Sequence, residues 1–203
     1  MRARRVRILA LGGSLRRASF NRALLGEAAA LAPSGSELDL SHIPVVGSLP
    51  LFNQDLVESE GPPVEVARLK DALRAADGLL IATPEYNWGI PGFLKNAIDW
   101  ASRPASDISN VFGDLPVALI GAGGSGGTRI AQSAWLSVFR YLQMRPWSGQ
   151  ALYIDRARER FDAENRLSDE AAREQLRDVV TGFAAHCADV PRARPTERCG
   201  RRS

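Results

Sequence analysis

Four short segments of this chain are apolar at nearly every position: Val6 to Leu11, Gly78 to Thr83, Pro116 to Ile120 and Ala151 to Ile154. None alternates polar with apolar residues, as a strand with one wet face would. Such runs belong to a sheet buried on both sides. A weaker strand is expected at Glu37 to Leu40. Helical stripes separate these runs. Phe20 to Leu31 places Leu24, Leu25, Ala28 and Leu31 on one face, and Pro62-Pro63 starts a helix running to Ala76. Gly92 to Ala101 and Arg129 to Leu142 follow the same period, the second through Ile130, Ala134, Val138 and Leu142. Ser168 is expected to cap a last helix with its stripe at Leu176, Val179, Val180 and Phe183. The resulting βαβαβαβαβα order defines an α/β protein, a doubly wound parallel sheet with helices on both faces. Residues 41–61, punctuated by Pro and Gly, read as one long connection, and a connection of that length is usually functional or part of an interface.

In such sheets ligands bind beyond the carboxyl ends of the strands, where the winding reverses. That directs attention to the loops after strands one, three and four. The first reads Gly12-Gly13-Ser14-Leu15-Arg16-Arg17-Ala18-Ser19-Phe20-Asn21. Its glycines permit a sharp turn, Ser14, Ser19 and Asn21 offer short polar side chains, and the following helix start favours an anion. Arg16 adds a planar cationic fork suited to phosphate oxygens. A phosphate monoester fits. A nucleoside triphosphate with Mg²⁺ does not, because the Gly-Lys-Ser/Thr ending of a P-loop is missing.

The second loop, Thr83-Pro84-Glu85-Tyr86-Asn87-Trp88-Gly89-Ile90-Pro91-Gly92, is stiffened by two prolines and carries two aromatic rings. A rigid backbone rim beside aromatic faces suits a flat heterocycle. The third, Gly121-Ala122-Gly123-Gly124-Ser125-Gly126, matches the letters of a dinucleotide fingerprint. Its context does not match: a ribose-binding acid is required about 20 residues on, and no Asp or Glu lies between Asp114 and Asp155.

Gly13-Ser14-Leu15-Arg16 with Ser19 and Asn21, then Pro84-Glu85-Tyr86-Asn87, Pro91-Gly92 and Leu94-Lys95-Asn96-Ala97-Ile98-Asp99-Trp100, resemble the NADPH-dependent FMN reductase family over roughly residues 5–185. That family includes flavin, quinone, azo-dye and chromate reductases. The resemblance implies a flavodoxin-like three-layer sandwich with a five-stranded parallel sheet in the order 2-1-3-4-5. It implies that Ser14, Arg16, Ser19 and Asn21 hold the phosphate of FMN, and that Pro84, Glu85, Tyr86 and Asn87 line its isoalloxazine ring. Gly123, Gly124 and Ser125 would approach the ring through their backbone, and Pro50 to Asp55 resembles the family's interface loop. Glu85 is expected to act through its backbone rather than as an acid, since hydride transfer uses the chemistry of the cofactor.

The implied activity is NAD(P)H-dependent reduction of flavins, quinones or similar small acceptors through FMN. The expected scheme is ping-pong, because nicotinamide and acceptor need the same face of one flavin. A flavodoxin-type carrier serving protein partners is the alternative, and the cationic Arg16 in the phosphate loop speaks against it. A phospho-acceptor signalling domain would need acids where this chain has Gly12-Gly13 and Thr83-Pro84. A homodimer or homotetramer is expected, with the flavin near the subunit boundary. Its motives are the 41–61 segment and the aromatic residues Trp88 and Phe93.

Charge and composition narrow the partners. Of a net charge of +3, three arginines lie in residues 1–5. Five arginines against one glutamate lie in residues 190–203, which leaves −4 for residues 6–189. The basic character therefore sits in the arms and gives no folded nucleic-acid face. Residues 1–189 are expected to form one domain, followed by an Arg-rich, solvated and disordered tail at 190–203. No apolar run approaches the ~20 residues of a membrane span. No secretory leader is evident, and a reducing cytoplasmic setting is expected. His42 and His186 are isolated, and Cys187 and Cys199 stand in no metal spacing, so no metal is expected.

Overall fold

The computed structural model describes residues 4–190 and Arg192. In chain order the elements are β1 (Val6–Gly12), α1 (Phe20–Ala30), β2 (Ser36–Asp39), α2 (Ile43–Ser48), α3 (Gln54–Glu60), α4 (Val64–Ala75), β3 (Gly78–Ala82) and α5 (Gly92–Ala101). They continue with α6 (Ile108–Val111), β4 (Pro116–Ala122), α7 (Arg129–Tyr141), β5 (Arg145–Pro146), β6 (Leu152–Ile154), α8 (Ala157–Arg160) and α9 (Glu170–Asp189). All strand pairs are parallel, in the order β2-β1-β3-β4-β5, with β6 also on β4. This is the flavodoxin-like sheet. Its fifth position is split: β5 pairs with Pro116 and Val117 at one end of β4, and β6 with Ile120 to Ala122 at the other. Pro146 lacks a ladder N–H and is tolerated because it lies at a sheet edge.

Every residue of β3 is buried, as the absence of alternation requires. On one face Ile8, Ala10, Leu80 and Ile120 meet the inner stripes of α1 and α9, Leu24 and Leu25 against Val179, Val180 and Phe183. On the other, Leu9, Leu11, Leu79 and Ile81 meet α4, α5 and α7 through Leu69, Leu94, Trp135 and Phe139. Trp100 is fully buried, with its indole N–H on the Pro50 carbonyl at 2.8 Å. Cys187 is buried beside Gly78, and burial together with Asp77 pushes its thiol up to about 12, which removes it as a nucleophile.

Three expectations are corrected. The 41–61 connection contains two short helices. α2 forms because Ile43 and Val46 find apolar cover, and α3 because the Asn53 side chain accepts from the Asp55 amide. The cap of α9 is Asp169, not Ser168. Its carboxylate accepts from Ala172 N–H at 2.9 Å and also pairs with Arg160, while the Ser168 hydroxyl donates to the Arg160 carbonyl. Arg192, inside the segment expected to be a solvated tail, donates to the carbonyls of Leu73, Asn110, Val111 and Gly113 at 2.7–3.1 Å. A guanidinium suits these groups, carbonyls at or just past the C-terminal ends of α4 and α6. Pro191 and residues 193–203 of that segment lie outside the described residues. No helix among the described residues is long and apolar enough to cross a membrane.

Candidate active site

The carboxyl ends of β1, β3 and β4 converge because the strands run parallel and in register: Gly12 lies beside Ala82 and Ala82 beside Ile120. The loops that leave them pack tightly. Gly13 donates its amide to the Ala82 carbonyl, and a Cβ there would lie 2.7 Å from Pro84 Cδ and 2.9 Å from Pro91 Cγ. Gly13 is therefore required by close approach. At Gly12, where a Cβ would make ordinary contacts, it is not.

A cleft of about 390 Å³ opens between these loops. Ser14, Arg16, Ser19 and Asn21 line it from the first loop, Pro84 and Tyr86 from the second, and Gly123, Gly124 and Ser125 from the third. Nine of the eleven expected residues thus meet in one place. The Ser14 hydroxyl has no protein partner among the described residues. Ser19 accepts from Arg22 N–H at 3.3 Å, capping α1 while its own hydroxyl hydrogen stays free to donate. The helix cap is therefore observed, and it leaves the hydroxyl hydrogen available to a ligand. Arg16 is exposed and, among the described residues, donates only to the Ala18 carbonyl, at 3.1 Å.

Asn21 sits in the cleft wall with its amide already engaged. Its Nδ2 donates to Ala122 O at 2.8 Å and its Oδ1 accepts from Ala122 N at 3.0 Å. One amide hydrogen is left for a ligand, and the larger effect is to tie the first loop to the end of β4.

Glu85 and Asn87 do not line this cleft. The Glu85 side chain turns away, and its Oε2 accepts from Ile130 N at 2.8 Å and Ala131 N at 2.9 Å at the start of α7. Its carboxylate takes up two unpaired helix amides, where the dipole favours a negative charge, a structural role the sequence reading did not foresee. Asn87 and Trp88, at φ 51° and 59°, form the corner of a tight turn closed by paired hydrogen bonds between Tyr86 and Gly89. Asn tolerates this left-handed conformation, whereas for a bulky Trp it is a strained one. The turn leaves Trp88 75% exposed. A parallel turn, Gly124 to Gly127, stands opposite, with Gly127 at φ 64°. A Cβ on Gly123 would lie 2.4 Å from the Gly127 carbonyl. Between the two turns lies a second hollow of about 560 Å³ that shares Gly124 and Ser125 with the main cleft and reaches Arg129 and Ile130.

The remaining wall of the main cleft is Arg156, Ala157, Arg158 and Glu159, after β6. Sequence reasoning missed it by reading only three loops. Arg-Ala-Arg-Glu-Arg directly after a strand end was the available signal. The Arg156 amide donates to Gly124 O and the Ala157 amide to Gly123 O, both at 2.9 Å, which joins this wall to the glycine turn.

FMN fits what is present. Free hydroxyls, a helix start and arginines form a phosphate-sized polar end, while Pro84, Tyr86 and glycine backbone form a flat rim open to close approach. Among the described residues no three His, Cys, Asp or Glu cluster as metal ligands.

Fold and site together define a flavodoxin-like flavoprotein. The family model for NADPH-dependent FMN reductases matches residues 6–159. The chain is 41% identical over 176 residues to an NAD(P)H-dependent FMN reductase of Pseudomonas aeruginosa, covering 86% of this chain and 91% of that one. It is 43% identical over 186 residues to a 2-hydroxy-1,4-benzoquinone reductase of a Burkholderia species, covering 91% and 97%. Among solved structures, the NAD(P)H:acceptor oxidoreductase FerB of Paracoccus denitrificans superposes with a TM-score of 0.78 at 32% identity, covering 92% of this chain and 99% of that one. The chain belongs to the NADPH-dependent FMN reductase family, as its two loop motifs imply.

Proposed function

We propose that the protein carries FMN in the 390 Å³ cleft and reduces flavins, quinones or similar small acceptors at the expense of NAD(P)H. The observation that supports this most is the union of a phosphate-binding end and a flat, proline-stiffened rim in one cleft. Bound FMN would supply the redox chemistry, taking a hydride from the nicotinamide and passing electrons to the acceptor.

The chain's own residues bind and orient. Ser14, Ser19 and Arg16 hold the phosphate, Pro84, Tyr86 and the backbone of Gly123 to Ser125 hold the ring, and Asn21 and Glu85 fix the loops that carry them. The hollow between the two turns adjoins the ring position. Its apolar rim of Trp88 and Ile130, the latter 46% exposed, suits a planar partner. Nicotinamide and acceptor would enter there in turn, since the described chain has one such hollow beside the ring. The same exposed aromatic rim supports assembly as a homodimer or homotetramer. Light scattering should then give a particle larger than the 22.0 kDa chain, and a monomer at working concentration would contradict it.

The test is a panel of free flavins, benzoquinones, an azo dye and chromate, run with NADPH and with NADH. Turnover with at least one small acceptor and parallel double-reciprocal lines are expected. Intersecting lines together with a detected ternary complex would contradict the shared hollow.

A further inference from the structure

Two of the three arginines in the loop after β6 lack a close carboxylate partner, although Glu159 shares the cleft wall with them. Asp155 and Asp169 both engage Arg160, and Arg156 comes no nearer than 3.9 Å to Asp155. Arg158 lines the cleft and, among the described residues, has neither a hydrogen bond nor an ion pair. The loop is nonetheless fixed at both edges. Its amides are on Gly123 and Gly124, and past α8 the Asn165 side chain donates to Ser19 O at 3.2 Å while the Phe161 ring lies 4.9 Å from that of Phe20. Arg156 itself is held left-handed, at φ 43° and ψ 48°, a conformation disfavoured for a non-glycine residue. The chain thus keeps a strained turn where it places Arg158 between the glycine turn and the start of α1.

A phosphate monoester carries about −1.5 to −2 at neutral pH. Arg16 supplies a single cation, with part of its fork spent on Ala18 O. We infer that Arg158 is a second phosphate ligand of this cleft, which together with Arg16 holds the phosphate of FMN. This rests on the FMN reading above. A guanidinium with no competing partner, on a loop already fixed, gives up little order when it binds an oxyanion.

The experiment compares FMN with riboflavin, which lacks the phosphate, by titrating the quenching of flavin fluorescence on wild type, Arg158→Ala, Arg158→Lys and Arg16→Ala. Arg158→Ala should weaken FMN by about 10- to 100-fold, the scale of one hydrogen bond to a charged group, and leave riboflavin within about twofold. Arg158→Lys should recover part of the loss, and added salt should shrink the difference. If Arg16→Ala loses FMN while Arg158→Ala binds it as wild type does, the inference is overturned and the FMN site stands. If Arg158→Ala weakens FMN and riboflavin equally, the wall is only structural and the inference is again overturned. A wild-type protein that takes up no FMN, or does not prefer it to riboflavin, would overturn the cofactor site itself.

Discussion

Asn21 and Ala122 exchange two hydrogen bonds across the mouth of the sheet, Nδ2 to carbonyl at 2.8 Å and amide to Oδ1 at 3.0 Å. They stand 101 residues apart in the chain, and the pair joins the phosphate loop to the glycine turn. Asn21→Ala would leave the buried N–H and C=O of Ala122 without partners, at a cost of about 2–4 kcal/mol. Denaturant unfolding should show that loss, accompanied by weaker FMN binding. Asn21→Asp should not rescue it, because a carboxylate faces the Ala122 carbonyl with no donor. An Asp variant as stable as wild type would contradict this role.

Glu85 performs a similar task on the other side. Glu85→Ala should lower stability by about 0.5–2 kcal/mol, the range for losing a helix cap. Its larger effect should fall on KM for the acceptor, since the carboxylate anchors the hollow and does not touch the main cleft. Glu85→Gln keeps an acceptor oxygen for Ile130 and Ala131 and should recover most of both losses. Steady-state kinetics of the two variants decide it: a Gln variant as impaired as Ala would point to a need for the charge or for proton transfer.

Gly13 offers a steric check on how closely the first two loops approach. A methyl group there collides with the rings of Pro84 and Pro91, neither of which is a flexible chain end. Gly13→Ala should therefore weaken FMN binding, whereas Gly12→Ala, which meets only ordinary contacts, should change it little. Equal affinities for the two variants in a fluorescence titration would contradict the packing described.

A pH effect on stability is expected away from the site. Burial alone would raise the Asp107 carboxyl, but hydrogen bonds from Lys70 and Asn110 and the charges of Lys70 and Arg74 outweigh it and hold the group below its ordinary 3.8. A carboxylate with a depressed pKa stabilises the fold above its unfolded value, and that contribution is lost as pH falls through the folded value. Lys70 Nζ lies 2.6 Å from Asp107 Oδ2 and is nearly buried. Asp107→Asn should cost about 3 kcal/mol near pH 7, in the range for breaking a largely buried pair. The gap from wild type in urea midpoints should narrow as pH falls below 3.8, the ordinary value, and close only once pH has passed through the depressed folded value and the native carboxyl is protonated. A gap that persists there would point to packing and not charge.

The sheet order and the meeting of three loops were legible because burial on both faces writes itself into the sequence as unbroken apolar runs. That Ser14, Arg16, Ser19, Pro84 and Tyr86 line one cleft was legible because the loops after parallel strands meet at one end of the sheet. Side-chain direction could not be read. Glu85 looks from its neighbours like part of the ring loop, yet it answers the unpaired amides of a helix 45 residues on. Asn21 likewise serves a backbone partner that only the tertiary fold supplies. The strand that launches the arginine wall was visible as the apolar run Ala151 to Ile154, but the loop after it was not read as part of the site; β5 was missed because a two-residue strand carries almost no periodicity. At Ser168-Asp169 two adjacent residues could each cap a helix, and the cap is the one whose carboxylate also pairs with the Arg160 guanidinium, while Ser168 is spent on the Arg160 carbonyl.

The central claim is that this chain alone, with FMN in its cleft, oxidises a pyridine nucleotide. The direct measurement is anaerobic addition of NADPH, and separately NADH, to protein reconstituted with FMN and freed of excess flavin, with no other protein present. Stoichiometric bleaching of the bound flavin's visible absorbance, reversed by adding a quinone, is the predicted result. A flavin that stays yellow under both nucleotides, and bleaches only when a second protein delivers electrons, would contradict the account.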